Sequence, residues 1–171
     1  MVEIYKNLWV GSATDYEGQV KKESGEYVDK SLWRVVRACK EPYHRQTLDY
    51  GGKDVFKDHP ECLVRDNLIT LNLEDSDNPN HISRFCIESA LEYIDKSLKE
   101  NYRVLICCDY GKSCSPSIGL LYLRFYTKVF GRDGFMESEL KFVKIYPRYR
   151  PSIGVRLFMK SDWRYYEGKL G

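Results

Sequence analysis

The segment that most constrains the fold is residues 104–121, VLICCDYGKSCSPSIGLL. It begins with a short apolar run rich in β-formers, which predicts a buried strand over Val104–Cys107. Apolar residues then recur at close to helical spacing between Ser115 and Phe130, which predicts a helix. A strand, a tight glycine-containing loop and a helix form the arrangement that points backbone N–H groups at an anion. The segment therefore predicts an anion-binding loop over residues 108–114.

Cys108 lies at the end of the predicted strand and faces the start of the predicted helix. The N-terminus of a helix carries about half a positive charge. A thiol placed there has a lowered pKa, and the thiolate is the reactive form of cysteine. The alternative interpretation is a buried, inert thiol, which is the usual state of a free cysteine. Gly111, Lys112 and the Ser-Pro helix start favour a nucleophilic cysteine at the bottom of a phosphate-sized cradle.

These residues resemble the signature loop of the dual-specificity phosphatases, within the cysteine-based protein tyrosine phosphatases. The loop of that family is His-Cys, five residues, and an Arg followed by Ser or Thr. Here Cys108 falls on the nucleophile, Gly111 on the family's glycine, and Ser115-Pro116-Ser117 on the start of the helix. The segments Asn7–Ser12 and Arg150–Ser152 also resemble the family, so the likeness extends over most of the chain.

Two positions depart from the family pattern: Cys107 replaces the His before the nucleophile, and Cys114 replaces the Arg that closes the loop. Arg at the second position would hold two phosphoryl oxygens with a planar fork. A thiol has neither the charge nor the donors, and losing one strong oxyanion donor costs on the order of 10²–10³ in rate. We therefore expect a weak or inactive catalyst on an intact fold, with Lys112 supplying only part of the missing charge.

The resemblance implies cysteine-dependent hydrolysis of a phosphomonoester through a phosphocysteine intermediate. Cys108 would attack phosphorus, and Ser115 would stabilise the thiolate when phosphocysteine is hydrolysed, although a serine there also fits a helix N-cap. The two thiols at the ends of the loop also raise the hypothesis of a reversible Cys108–Cys114 disulfide. The backbone N–H groups of the loop would bind the phosphoryl oxygens, and the residues concerned are Asp109, Tyr110, Gly111, Lys112, Ser113 and Cys114.

The general acid is expected in the turn-rich segment Glu74–Asn80, which lies between a predicted strand at Leu68–Leu73 and a predicted helix at His81–Glu100. Family members carry an Asp on a loop at this place, and it protonates the departing oxygen. Asp75 is the first choice and Asp77 the close alternative. Residues of this kind also form turns and helix caps without any catalytic role.

The length of 171 residues fits one domain, residues 1–171. Predicted strands alternate with predicted helices, which indicates an α/β fold: a central, mostly parallel sheet of four or five strands flanked by helices, similar to the phosphotyrosine protein phosphatases. The cleft should lie at the carboxyl end of the sheet. Beyond the segments above, the prediction comprises strands in Glu3–Val10 and Trp33–Cys39, a long loop at Pro42–Lys57, and helices at Phe135–Ile145, with Met136, Leu140 and Val143 aligned, and at Gly154–Tyr166.

Charge and cysteine usage restrict the partners and the compartment. Lys and Arg number 27 against 25 Asp and Glu, so no bias toward nucleic acid or membrane is expected. No apolar run approaches the ~20 residues of a membrane helix, and the N-terminus is unlike a signal peptide. Six scattered cysteines fit no metal spacing and predict free thiols in a reducing, cytoplasmic compartment. We expect a monomer that acts on a phosphorylated protein without a metal or organic cofactor, because the thiolate supplies the nucleophile.

Two further functions remain open at this point. Cys114 favours a catalytically dead pseudophosphatase that binds phosphorylated partners in the same cradle. A phosphatase-like fold used only as an interaction surface is the third interpretation. Hydrolysis of a small aryl phosphate would distinguish the enzyme from both.

Overall fold

The computed structural model describes residues 1–21, 32–45, 61–65 and 67–170. Within them, six strands form one mixed sheet in the order β1-β2-β6-β3-β5-β4. The strands are β1 (Val2–Tyr5), β2 (Leu8–Ser12), β3 (Trp33–Arg37), β4 (Cys62–Arg65), β5 (Leu68–Leu71) and β6 (Arg103–Cys108).

The centre of the sheet is parallel. Strand β6 pairs in parallel with β2 and β3, and β3 pairs in parallel with β5, whereas β1 and β4 are antiparallel edge strands. Residues 104–108 of β6 are all buried, and the continuous apolar run of this strand suits its position between two parallel neighbours at the centre of the sheet. Since β2 and β6 run in the same direction and pair Ser12 with Cys108, their carboxyl ends meet at one edge.

Four long helices complete the described fold: α1 (Arg84–Lys99), α2 (Cys114–Phe125), α3 (Phe135–Ile145) and α4 (Ile153–Leu170). Helix α2 is buried along its whole length, because it packs against β2 and β6 and also contacts the other three helices. Shorter helical segments are Ala13–Asp15, Tyr16–Val20, Lys40–His44 and Pro79–His81. No helix in the described part of the chain has the length and apolar character needed to cross a membrane.

The predicted α/β class and the mostly parallel central sheet are confirmed, with six strands rather than four or five. The N-terminal segment forms two strands around Asn7, whose φ of 62° turns the chain. Strand β4 has only four residues, two of them exposed, and this is too short for an alternating pattern to be recognised. The predicted loop Pro42–Lys57 begins inside the helical segment Lys40–His44, and its residues 46–57 lie outside the described ranges.

Two helix predictions need correction. The helix predicted to reach Phe130 ends at Phe125, and the Thr127 hydroxyl then donates to the carbonyl of Leu123. In α3 the apolar residues Met136 and Leu140 are 49% and 65% exposed, so they do not form the inward face.

The inward face of α3 instead carries Phe135, Ser138, Glu139 and Phe142. Glu139 is accommodated there because its carboxylate pairs with the Arg156 guanidinium of α4 at 2.6 Å. Hydrophobicity alone could not reveal a buried face that contains an ion-paired glutamate.

Candidate active site

Cys108 is the last residue of β6, and its side chain is buried apart from a small exposed fraction. Its Sγ lies 3.1 Å from the Ser115 Oγ, and the Ser115 hydroxyl donates a 3.1 Å hydrogen bond to the Gly11 carbonyl. A hydroxyl has a single hydrogen to donate. With the hydroxyl bonded to Gly11, Cys108 as a thiol donates to Ser115, whereas a Cys108 thiolate would accept the serine hydrogen instead. Ser115 therefore lies where it can stabilise either protonation state of the thiol.

Residues 109–113 turn their carbonyl groups toward partners outside the loop. The Asp109 carbonyl accepts from the Ala13 amide at 3.2 Å, the Lys112 carbonyl from the Arg150 amide at 2.7 Å, and the Gly111 carbonyl from a hydroxyl at 2.7 Å. The hydroxyl belongs to Tyr146. The two remaining carbonyls have partners as well: Tyr110 O accepts from Arg148 Nη2 at 3.1 Å, and Ser113 O from Ser117 N at 3.1 Å.

In a trans peptide the C=O of one residue and the N–H of the next point in opposite directions. Because the carbonyls of residues 109–113 are bound on the outside of the loop, the N–H groups of residues 110–114 face the inside. The inside of the loop also receives the positive end of α2, which begins at Cys114. This arrangement can bind an anion without any cationic side chain.

Gly111 allows the loop to pack directly on the end of β2. Its φ is +67°, a conformation that L-residues with a side chain rarely adopt. A Cβ at this position would lie 2.7 Å from the backbone carbon and oxygen of Gly11. The glycine is therefore required both by the backbone conformation and by the close approach of the two segments.

Asp75 reaches the same loop from the segment that follows β5. Its Oδ1 accepts a 2.6 Å hydrogen bond from the Ser113 hydroxyl, and that hydroxyl accepts a 3.0 Å bond from the Ser152 amide. The Ser152 hydroxyl donates in turn to the Ser76 carbonyl at 3.0 Å. These bonds hold Asp75 and Ser76 between the loop of residues 109–113 and the start of α4.

The structure separates the two candidate acids. Asp75 lines the cleft that contains Cys108, whereas Asp77 is absent from the cleft lining. The backbone of Asp77 instead packs on Gly154 of α4, where an added Cβ would lie 2.6 Å from the Asp77 carbonyl carbon. Of the two, Asp75 is the one that shares the cleft with Cys108.

The cleft has a volume of about 590 Å³. Ser115 and Gly111 do not line it, because Ser115 lies beneath the Cys108 sulfur and Gly111 packs against β2. The residues predicted for the site that do line it are Asp75, Cys108, Asp109, Tyr110, Lys112, Ser113 and Cys114, joined by Cys39, Lys40, Glu41, Arg45, Leu73, Glu74 and Arg150.

Cys114 is 2% exposed, and burial raises the pKa of its thiol well above the ordinary value. Burial has the same effect on the pKa of Cys107, which is fully buried. Both thiols are therefore neutral near pH 7, and the position that closes the loop carries no charge. Cationic residues line the cleft at other positions, and they are Lys40, Arg45, Lys112 and Arg150.

The sequence interpretation missed two groups of residues. Cys39, Lys40 and Arg45 follow the carboxyl end of β3, and the rule that ligands bind at the carboxyl ends of parallel strands could have indicated them. Tyr146 and Arg148, which bind the outside of the loop, carry no such signal, because they lie in an irregular connection whose path only the tertiary structure determines.

No family model and no curated protein matches the sequence. Solved structures do match it over nearly the whole chain. The human tyrosine phosphatase-like serine/threonine/tyrosine-interacting protein is 17% identical, with a TM-score of 0.63 and 96% of each chain covered. A leucine-rich repeat and phosphatase domain protein from Entamoeba histolytica is 16% identical, with a TM-score of 0.64, 99% of this chain covered and 94% of the other. The Cydia pomonella PTP-2 phosphatase is 14% identical, with a TM-score of 0.60 and coverages of 94% and 88%.

Identities this low establish the fold. The chain has the fold of the dual-specificity and tyrosine phosphatases, and the resemblance seen in residues 104–121 is confirmed at that level. The matches also cover most of each neighbouring chain, so the likeness is not confined to the loop.

Proposed function

We propose that this chain is a dual-specificity or tyrosine phosphatase-like protein that hydrolyses phosphomonoesters slowly, with Cys108 as the nucleophile. The observation that carries the proposal is the position of the Cys108 sulfur. It lies in the cleft beside a loop whose carbonyls are all bound on the outside, and the Asp75 carboxylate lies on the same cleft. The fold of the neighbouring structures supports the same function.

In the first step the Cys108 thiolate attacks phosphorus, and the bond from phosphorus to the leaving oxygen breaks. Asp75 gives its proton to that oxygen, which avoids expelling a free alkoxide or phenoxide. The N–H groups of residues 110–114 bind the non-bridging phosphoryl oxygens through the charge that develops on them. The product of this step is phosphocysteine and a free alcohol or phenol.

In the second step water attacks the phosphocysteine and Asp75 accepts a proton from it. The bond between sulfur and phosphorus breaks and releases inorganic phosphate. The sulfur leaves as a thiolate, and the Ser115 hydroxyl, 3.1 Å away, transfers its hydrogen bond from Gly11 to the sulfur. No step uses a metal or an organic cofactor, because the thiolate supplies the nucleophile.

Cys114 makes the proposed rate low. A neutral, buried thiol stands where a guanidinium would neutralise the transferring phosphoryl group, and the loss of one such donor costs on the order of 10²–10³ in rate. Lys112 lines the cleft and contributes a point charge, without the planar two-oxygen geometry of arginine.

We also propose that residues 1–171 act as one monomeric domain on phosphorylated proteins in a reducing, cytoplasmic compartment. The near-complete coverage of neighbouring chains supports a single domain, and the six free cysteines support the compartment.

A second candidate function is a pseudophosphatase that binds phosphorylated partners without turnover. Cys114 is the observation that favours it. Backbone amides alone can bind a phosphate, but no arginine at this position stabilises the charge of the transition state. One of the neighbouring structures is that of a tyrosine phosphatase-like interacting protein, which fits this alternative.

The experiment measures hydrolysis of an aryl phosphate by the wild-type chain, Cys114→Arg and Cys108→Ser. We expect slow turnover by the wild type and a rate about 100-fold higher or more in Cys114→Arg. Cys108→Ser should show no turnover. Because Cys114 is buried, Cys114→Ser is the matched control for a change at this site, and the Tm of each variant reports whether it folds. If the wild type is inactive but binds inorganic phosphate or tungstate, the pseudophosphatase is supported. Inactivity together with absent binding would refute both functions.

A further inference from the structure

Two cysteines that do not line the cleft face each other where β4 begins. The Sγ atoms of Cys62 and Cys86 are 3.7 Å apart and share a hydrogen bond. Cys62 begins β4, the edge strand of the sheet, and Cys86 lies in the first turn of α1. The two residues are 24 positions apart in sequence, so the fold alone brings them together.

The surroundings assign different roles to the two thiols. Cys62 is half-buried and can be reached from solvent, whereas Cys86 is fully buried and donates its thiol hydrogen to the Glu61 carbonyl at 3.2 Å. The hydrogen bond with Cys86 lowers the pKa of Cys62, although burial acts in the opposite direction. The hydrogen bond with Cys62, together with burial, raises the pKa of Cys86. Cys62 is therefore the thiol that ionises and meets an oxidant, and Cys86 is the protonated neighbour.

We propose that Cys62 and Cys86 form a reversible disulfide that joins β4 to α1 when the protein meets a peroxide or an oxidised thiol such as glutathione disulfide. With a peroxide, the Cys62 thiolate attacks one oxygen, which gives a sulfenic acid and hydroxide. Cys86 sulfur then attacks the Cys62 sulfur, loses its proton, and expels the sulfenic oxygen as water. The hydroxide takes up the proton that Cys62 released on ionising, so the two thiols lose two electrons in total and hydrogen peroxide is reduced to two molecules of water.

The disulfide would close a ring that contains β5 and the segment bearing Asp75. Closing a chain segment of this length restricts the unfolded state and raises the stability of the folded one. For a chain of this size we expect the oxidised protein to have a Tm higher by about 5–10 °C. The site is separate from Cys108, so the inference does not depend on the proposed function.

Tryptic digestion places the two cysteines in different peptides, because cleavage after Lys and Arg puts Cys62 in peptide 58–65 and Cys86 in peptide 85–96. Cys39 falls in peptide 38–40, Cys107 and Cys108 fall in peptide 104–112, and Cys114 falls in peptide 113–124. The protein is equilibrated with reduced and oxidised glutathione, blocked with N-ethylmaleimide, digested and analysed by mass spectrometry. We expect peptides 58–65 and 85–96 to be linked.

The decisive comparison is between disulfide formation in the native protein and in the protein unfolded in urea. The folded chain holds the two sulfurs together, so the native link should form at a glutathione disulfide fraction at least about 10-fold lower than in urea. Cys62→Ser should remove the link and the rise in Tm, and Cys39→Ser is the matched control that should retain both. Equal yields in native and unfolded protein would overturn the proposal. So would a native link confined to peptides 104–112 and 113–124, which would place the disulfide at Cys108–Cys114 instead.

Discussion

The Ser113 hydroxyl donates a 2.6 Å hydrogen bond to Asp75 Oδ1, and this bond joins the loop beside Cys108 to the segment that follows β5. Ser113 is itself oriented by the Ser152 amide, which donates to its oxygen at 3.0 Å. A carboxyl group on an irregular segment is thus fixed relative to Cys108 by contacts that come from two other parts of the chain.

Removing the Ser113 hydroxyl should impair protonation of the leaving group, because Asp75 would lose a contact that positions it. In Ser113→Ala we expect kcat/KM to fall about 10-fold for an alkyl phosphate, whose leaving group needs a proton. An aryl phosphate with an acidic phenol should be affected much less. The ratio of the two rates is the readout, measured in the Cys114→Arg background so that turnover is high enough.

Ser117→Ala is the matched control for Ser113→Ala. It removes a neighbouring buried hydroxyl that contacts the Tyr149 hydroxyl at 3.3 Å and is not bonded to Asp75. An equal loss with both leaving groups in Ser113→Ala would contradict a role in placing the acid.

Ser115→Ala should slow the hydrolysis of phosphocysteine more than its formation. The Ser115 Oγ, 3.1 Å from the Cys108 sulfur, is the hydroxyl that can stabilise the departing thiolate. We expect a burst of phenol equal to the enzyme concentration, followed by a steady rate lowered about 10–100-fold. Rapid-mixing kinetics in the Cys114→Arg background would measure both phases. A steady state without a burst would show that the serine acts earlier or not at all.

Gly111→Ala should cost more stability than Gly131→Ala, although both glycines have positive φ. A side chain in this conformation costs roughly 1–2 kcal/mol by itself. At Gly131 an added Cβ meets nothing within 4 Å, whereas at Gly111 it would lie 2.7 Å from the backbone of Gly11. We expect urea unfolding to show an additional loss of about 1 kcal/mol or more for Gly111→Ala, together with loss of phosphate binding. Equal losses would mean that the loop moves away from β2 without cost.

The pairing of α1 with α4 should make stability depend on pH at the acid end. Burial raises the Glu88 pKa, but the Lys169 ammonium at 2.8 Å and the Tyr165 hydroxyl outweigh it, so the net pKa lies below the ordinary value. A carboxyl with a lowered folded-state pKa stabilises the protein above its unfolded pKa of about 4.3, and the contribution is lost as the pH falls through the folded pKa.

Glu88→Gln should therefore reduce the free energy of unfolding at pH 7 by less than about 1 kcal/mol, because the pair is partly exposed. The difference from wild type should shrink as the pH is lowered below about 4. Urea unfolding at pH 7 and pH 3 provides the measurement, with the exposed Glu92→Gln as the control. A difference that persists unchanged at pH 3 would exclude the ionic explanation.

Residues 104–121 were sufficient to predict a buried strand, a loop and a helix, because hydrophobic periodicity and the glycine act over a few neighbouring residues. Cys108 at the strand end was identified by the same local reasoning. The order of strands and helices along the chain also predicted the α/β class. In each case the physical cause is contained in a short stretch of sequence.

Contacts between segments that are distant in sequence could be identified only from the tertiary structure. Asp75 was the first choice and Asp77 the alternative from the sequence, whereas the bond from Asp75 to a hydroxyl 38 positions away is seen only in the tertiary structure. The same holds for the contact between Cys62 and Cys86 and for the hydrogen bonds to the loop carbonyls. These contacts join segments that are distant in sequence, and no local pattern predicts that they meet.

The residues alone establish the chemistry that is available: a cysteine after a buried strand, a glycine that permits the tight loop, and Cys114 in place of an arginine. The tertiary structure decided which groups meet that cysteine, and which apolar residues of α3 remain exposed. The reason is that propensity and periodicity depend on near neighbours. Burial and hydrogen bonding at a site depend instead on the path of the whole chain.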